Sequence, residues 1–312
     1  MTKLRISVVQ YLNTAPLVYG FTHGPLRGKY ELSFTVPSQC AEALRTGAAD
    51  VAIIPAIEYQ RIVSGGVDLA VLSDLAIASK ERVRSLLLVS KTPIAKAKSV
   101  ALDRSSRSTQ ALVKILCARH WGIAPEFTEA EPELASMLRE HDAALLIGDV
   151  ALRIAIAAER KLAHVPRSEW VTSADEIGLA GAEKVYIYDV VKEWWHLTEL
   201  PAVLAVWAGR AEVVTPEVAA DFLSSRDFGV EHIPEICAEA AASMELPENE
   251  LRLYLEKNIN YTLDAENLRG LERFWMWSSS QGLIGPMAPV TIAAGPKSPV
   301  RYMDYIVAKK HA

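Results

Sequence analysis

The chain has 312 residues, half of them hydrophobic and 23% charged, with 33 Lys and Arg against 38 Asp and Glu for a formal net charge of -5. At roughly 150 residues per domain, that length predicts two domains, with enough apolar content to fold without disulfides or metals. The composition excludes a disordered or collagen-like chain, and the acidic balance argues against bulk binding to nucleic acid or an anionic membrane, which need a basic face, so an anionic substrate must be captured by individually placed donors.

Strand and helix signals alternate from the start. Residues 4–9 read as a buried strand that ends in the polar group Gln10, Tyr11, Leu12, Asn13 and Thr14, with Pro16 suited to a first helical turn. Residues 31–36 read as a second strand, followed by Pro37, by Ser38 as a helix N-cap, and by a helix over 39–45 that stops at Gly47. Asp50 leads into the short apolar run 51–54, bounded by Pro55, as a buried parallel strand. This is β-α-β order with short connections, which predicts an α/β sheet. The pattern recurs: 99–102 is a strand, the polar stretch 103–109 opens a helix with Leu112, Ile115 and Leu116 on one face, and Asp142 starts a second apolar strand that ends at Gly148 and Asp149. The likeness of the Asp50 and Asp142 units fits two lobes of similar design.

The apolar stretches 83–90 and 201–207 flank the second unit and are the natural crossings between lobes. Lobe 1 is therefore expected to be discontinuous, 1–88 with 203–312, and lobe 2 to span 89–202. Helices are predicted over 215–223, 233–244, 247–257 and 265–281, with Thr215 and Asp264 as start signals, and 163–184 reads as a long surface excursion.

Three widely spaced cysteines, Cys40, Cys117 and Cys237, form no CxxC pair, and the seven histidines show no metal spacing. The sparse, odd cysteine count, the lack of an export signal after Lys3 and Arg5, and the shortness of the apolar run 200–209 against the roughly 20 residues of a membrane span together predict a cytoplasmic protein. No Walker loop, GxGxxG, HExxH or GxSxG is present, which predicts chemistry without metal, nucleotide or flavin. What remains is a set of strand-end loops rich in hydroxyls and amides, and in open α/β sheets ligands sit outside the carboxyl ends of strands.

Among these loops, Ser106, Ser108 and Thr109 place hydroxyls beside the unpaired N–H groups of a helix start, a ready carboxylate site to which Arg107 adds a charge; ordinary helix capping is the competing reading. Asn13 is either a donor and acceptor at the end of the first strand or a turn residue before Pro16. Ser85 sits in an apolar crossing strand, Asp149 reads as a base or as a cap for the next helix, and Thr198 adds a hydroxyl near the return crossing. His120 and His141 read as structural, and Trp194, Trp195, Trp207, Trp275 and Trp277 as packing.

The group at 7–17, with Tyr11, Leu12, Asn13 and Thr14, resembles the opening signature of the chorismate dehydratase family of the futalosine route to menaquinone. Further matching groups follow in order: 50–55 with Glu58 and Tyr59, 83–88, 101–103 with 106–109, 142–149, Asp189 with Trp194, 198–201 leading to Trp207, and 261–263. The resemblance implies a type II periplasmic-binding-protein fold, with two α/β lobes of mixed sheets flanked by helices and two crossing strands as a hinge that closes on ligand. It implies conversion of chorismate to 3-[(1-carboxyvinyl)oxy]benzoate and water, without cofactor. Asn13 and Ser85 become the catalytic candidates, and Tyr11, Thr14, Ser106, Arg107, Ser108, Thr109, Gly148, Asp149 and Thr198 the substrate-binding ones. Two departures stand out: Glu199 occupies a position where the family usually has Gly, and the 163–184 excursion is longer than usual. The alternatives are the dihydroxynaphthoate synthase of the same pathway, whose His-Glu pair is here Gly148-Asp149, and an exported small-anion receptor of the same fold.

Overall fold

Short apolar runs closed by polar loops become the strands of two separate sheets in the computed structural model, which describes residues 3–161, 171–172, 184–293 and 300–301. The first unit, Met1–Ser79 with Leu200–Ala312, opens with β1 (Arg5–Val9), α1 (Ala15–Thr22), β2 (Glu31–Thr35), α2 (Pro37–Thr46), β3 (Val51–Pro55), α3 (Ala56–Ser64) and β4 (Leu69–Ser79). The second unit, Lys80–Glu199, holds β5 (Leu86–Ser90), β6 (Ser99–Asp103), α4 (Arg107–Arg119), β7 (Glu126–Ala130), α5 (Leu134–Glu140), β8 (Ala143–Ile147), α6 (Gly148–Lys161), β9 (Val171–Thr172), β10 (Val185–Asp189) and α7 (Val190–Thr198). The chain then completes the first unit with β11 (Ala202–Arg210), α8 (Pro216–Glu231), α9 (Ile233–Met244), α10 (Glu248–Leu253), α11 (Ala265–Ser280), β12 (Thr291–Ala293) and β13 (Val300–Arg301).

The strand orders are β13-β12-β4-β11-β3-β1-β2 and β7-β6-β8-β5-β10-β9. In each sheet a central strand, β3 or β8, has a parallel neighbour on one side and an antiparallel one on the other: β1 and β11 in the first, β6 and β5 in the second. All five residues of β3 and of β8 are buried, so neither alternates apolar with polar, as expected of strands covered on both faces. The two aspartates that precede them do the same job. The Arg5 N–H donates to Asp50 Oδ2 at 2.8 Å, and the Lys98 N–H donates to Asp142 Oδ2 at 2.8 Å, so each carboxylate ties down the start of the neighbouring parallel strand. The Arg5 guanidinium also meets Asp50 at 2.6 Å, and that hydrogen bond holds the Asp50 carboxyl below its ordinary pKa.

In the second unit Leu87, Val89, Ala144 and Leu146 pack against Met137 and Leu138 of α5 and against Ala151 and Ala155 of α6. In the first, α1 is held against α8: the Ser225 hydroxyl donates to the Leu17 carbonyl at 2.9 Å, and a Cβ at Gly229 would lie 1.9 Å from the Pro16 carbonyl oxygen. Only glycine permits that approach, which anchors the helix directly behind the Asn13 turn. Trp207 packs edge-on to Phe222, Trp275 donates its indole N–H to the Ala56 carbonyl at 2.8 Å, and Trp194 is fully buried. Trp195 and Trp277 are half-buried. Cys40, Cys117 and Cys237 are buried free thiols, pushed up by desolvation to about 11, about 12 and about 11 respectively.

Several boundaries differ from the sequence reading. Strand β4 went unread because Ser73 and Asp74 split its apolar run; the backbone instead absorbs Asp74 at a φ of 60° and continues. Helix α2 starts at Pro37, which needs no N–H partner at a helix start, so Val36 and not Ser38 is its N-cap residue. The 247–257 helix ends as α10 at Leu253 and widens into a π turn at Tyr254–Asn258. Thr215 and Asp264 do cap, accepting from the Val218 and Asn267 N–H groups. The 163–184 excursion lies outside the described residues apart from β9, which pairs antiparallel with β10.

Glu199 closes α7 in the left-handed region, at φ 53° and ψ 28°. A helix C-terminus of this kind favours glycine, which explains why a Gly suits this position better than any pocket argument does. Glu199→Gly is therefore expected to stabilise the protein by about 0.5–1 kcal/mol, read as a rise in the melting temperature. An unchanged or lower melting temperature would show that Glu199 makes compensating contacts.

Candidate functional site

In the second unit, strand direction gathers the polar residues at one edge of the sheet. Strands β6, β8 and β10 run the same way and end at Asp103, Ile147 and Asp189, while the antiparallel β5 begins at that edge, with Leu86 opposite Ile147 and Leu87 opposite Asp189. The turn before β5 thus meets the carboxyl ends of its neighbours. Ser85 lies in this turn, not inside a strand as the sequence suggested; it is buried, and its carbonyl accepts the Gly148 N–H at 2.8 Å. Gly148 turns β8 directly into α6 at a φ of 67°, a conformation that glycine adopts without cost, and half-buried Asp149 falls in the first turn of that helix.

The start of α4 stands on the same edge. Ser106 is its N-cap residue, but its side chain makes no capping bond; the hydroxyl instead donates to Thr109 Oγ1 at 2.7 Å. Ordinary capping by Ser106 is thereby replaced by a buried hydroxyl pair. The N–H groups of the first helical turn and the positive end of the helix dipole lie beside it. Ser106, Ser108 and Thr109 are all buried, and Arg107 is half-buried. Thr198 does not belong to a strand-end loop: it is the last residue of α7, where its hydroxyl donates to the Trp194 carbonyl at 2.8 Å. His120 pairs with Glu193 at 3.0 Å at the other end of α4, in keeping with a structural role.

Two acids on this edge received no role in the sequence reading. Asp103 is buried and accepts from the Ser105 N–H at 2.9 Å and the Ser105 hydroxyl at 2.6 Å; desolvation nevertheless raises its pKa above the ordinary value. Asp189 accepts from Val83, Arg84, Val191 and Lys192 N–H groups. A sequence signal existed for Asp103, which closes the buried apolar run 100–102, and was weaker for Asp189, which closes a strand that alternates buried and half-buried residues.

The first unit presents the β1 end. Leu12–Thr14 form a single turn of 3-10 helix, started by Tyr11 in extended conformation, with the Thr14 N–H donating to the Tyr11 carbonyl at 3.0 Å. Asn13 is 8% exposed, and the Thr14 hydroxyl donates to its Oδ1 at 3.4 Å. A cavity of about 340 Å³ opens beside this turn, lined by Gln10, Tyr11 and Thr14 together with Tyr19, His23 and Glu239. Among the described residues, no group of three His, Cys, Asp or Glu side chains is arranged to hold a metal, and no helix is long and apolar enough to cross a membrane.

Comparison with known proteins bears on family and fold. The model of a family described as "Menaquinone biosynthesis" matches residues 4–279. A chorismate dehydratase from Thermus thermophilus is 28% identical over 287 residues, which cover 91% of this chain and 97% of the relative. A structural-genomics crystal structure of an Archaeoglobus fulgidus protein superposes with a TM-score of 0.68 at 19% identity, covering 90% of this chain and 98% of the other. The periplasmic aliphatic sulphonate binding protein of Escherichia coli superposes at 0.59 with 18% identity, covering 90% and 88%. The fold is thus that of the periplasmic binding proteins, as the sequence reading expected.

Because Asp103 has a raised pKa in the folded state, folding takes up protons between the ordinary carboxylate range and that raised value. Its contribution is therefore most favourable at low pH and is lost as pH rises through the folded-state pKa. Asp103→Asn, which keeps an acceptor for Ser105 but cannot ionise, is expected to gain stability relative to the parent as pH rises from about 4 to about 7. Urea denaturation at several pH values reads the difference, and a constant difference would contradict it.

Proposed function

This chain belongs to the menaquinone biosynthesis family, and we propose that it dehydrates chorismate to 3-[(1-carboxyvinyl)oxy]benzoate. The observation that carries the reading, beside the dehydratase relative, is the start of α4, with its buried hydroxyl pair and no side-chain capping bond. Such a helix start suits a carboxylate, and chorismate carries two. The reaction removes the proton from the ring carbon bearing the ether and the neighbouring hydroxyl as water. It forms an aromatic ring, so the enzyme is not required to drive an uphill step. Its task is to hold the dianion, guide proton removal and assist hydroxide departure.

In this reading Ser85, Ser106, Ser108, Thr109 and Arg107 hold carboxylate oxygens, and the Asn13 amide NH2 donates to the departing hydroxyl. Asn13 is buried, and the helix that follows it is anchored at Pro16 and Leu17, so little reorganisation of its backbone is needed as charge develops. Tyr11 and Thr14 adjoin Asn13 within the first unit, and Gly148 and Asp149 adjoin Ser85 within the second. A substrate carboxylate takes the proton, and Asp149 is the alternative base. Thr198, bonded within its own helix, is the weakest member of the set.

The division of labour predicts distinct kinetics. Asn13→Ala is expected to lower kcat more than it changes KM, whereas Ser106→Ala and Arg107→Ala mainly raise KM. A hydrogen bond to a charged group is worth about 1.5–3 kcal/mol, so the rise should be roughly 10- to 150-fold. Steady-state assays following the aromatic product in the ultraviolet measure both constants. Loss of turnover in Asp149→Asn with near-normal Asn13→Ala would reverse the assignment.

A further inference from the structure

The turn that carries Ser85 is fastened twice. Arg84, immediately before it, has a φ of 67°, a conformation costly for a side chain with a Cβ. Strain of this kind persists where the surroundings over-determine it, and it gathers at functional sites. Here the surroundings are explicit. Asp189 Oδ2 accepts the Val83 N–H at 3.0 Å and the Arg84 N–H at 2.6 Å, while Oδ1 accepts the Val191 and Lys192 N–H groups at 3.0 and 3.1 Å. The Val83 N–H also reaches Oδ1, at 3.3 Å, so the carboxylate grips the turn mainly through Oδ2, the one oxygen that accepts from Arg84, and caps α7 through Oδ1. The side chains of the turn are held as well: the buried Arg84 guanidinium meets Glu159 of α6 at 2.6 Å, and Arg82 reaches the same carboxylate. The first residue of α6, Gly148, holds the Ser85 carbonyl.

Capping α7 needs a single acceptor, for which serine or asparagine would suffice. The second oxygen is spent on two N–H groups distant in sequence, at the residue whose backbone is strained. We propose that Asp189 is a positioning residue for Ser85, holding the 82–85 turn in the conformation that presents this serine to substrate, with the Arg84–Glu159 pair as the second fastening. The role rests on the reading of Ser85 as a substrate contact, and it predicts that Asp189 acts on binding only through Ser85.

The two functions of Asp189 are separable. Asp189→Ser keeps an acceptor that can cap α7 but loses the oxygen that reaches Val83 and Arg84. Kinetics with chorismate, melting temperatures and amide hydrogen exchange are compared for the full-length protein, Asp189→Ser, Ser85→Ala and the double variant. Asp189→Ser is expected to raise KM by roughly 10-fold, with kcat changed less than about threefold, and to speed exchange in the 82–86 segment but not in α7. In the double variant KM should stay within about twofold of that of Ser85→Ala alone, because coupled residues are not additive. Multiplying effects in the double variant, or unchanged exchange at 82–86, overturns the role of Asp189. An unchanged KM in Ser85→Ala overturns instead the reading of Ser85 on which it rests. If Asp189→Ser does not fold, Asp189→Asn, which retains Oδ1 for α7, carries the same comparison.

Discussion

The central strands of both sheets are covered on their two faces, so the backbone groups where they start and end must find partners in the adjoining loops. Much of the polar chemistry of this chain follows from that constraint. Asp50 and Asp142 satisfy it at the starting edge by tying the neighbouring strand, and Asp103, Gly148 and Asp189 satisfy it at the carboxyl edge. The groups that complete the ladder are also the ones that set the positions of Ser85 and of the α4 start. Fold and candidate site are consequently the same set of hydrogen bonds seen from two sides.

The parts legible in the sequence were those with a local cause. The run at 51–55 is apolar without alternation, and it lies in the sheet interior; Thr215 and Asp264 sit before helices and cap them. The Asn13 turn could be located because a polar group ends a buried strand ahead of Pro16. What escaped depended either on pairing between distant segments or on which nearby partner a hydroxyl takes. Ser85 reads as part of an apolar run, yet the strand begins one residue later because Asp189, over 100 positions away, holds the turn before it. Thr198 reads as a loop hydroxyl, yet it is the last residue of α7 and its hydroxyl donates to the Trp194 carbonyl one turn back. Ser106 has the pattern of a cap, and its proton goes to Thr109 instead.

Family and fold answer different questions. A sulphonate-binding receptor shares this architecture at a TM-score of 0.59, so the architecture alone does not decide function. The family model and the dehydratase relative separate this chain from a receptor. With a net charge of -5, the protein has no general attraction for a dianion. In the proposed function binding comes from placed donors, and the α4 start, Arg107 and the Ser85 turn are the candidates for that task. A rigid acceptor of charge also suits a reaction whose driving force is aromatisation and whose difficulty is orientation.

The most direct test is mass spectrometry of chorismate incubated with the purified protein. The account predicts a product lighter by one water that retains the enolpyruvyl ether and contains an aromatic ring. Unchanged chorismate, or an isomer of the same mass formed by migration of the enolpyruvyl arm, would contradict it.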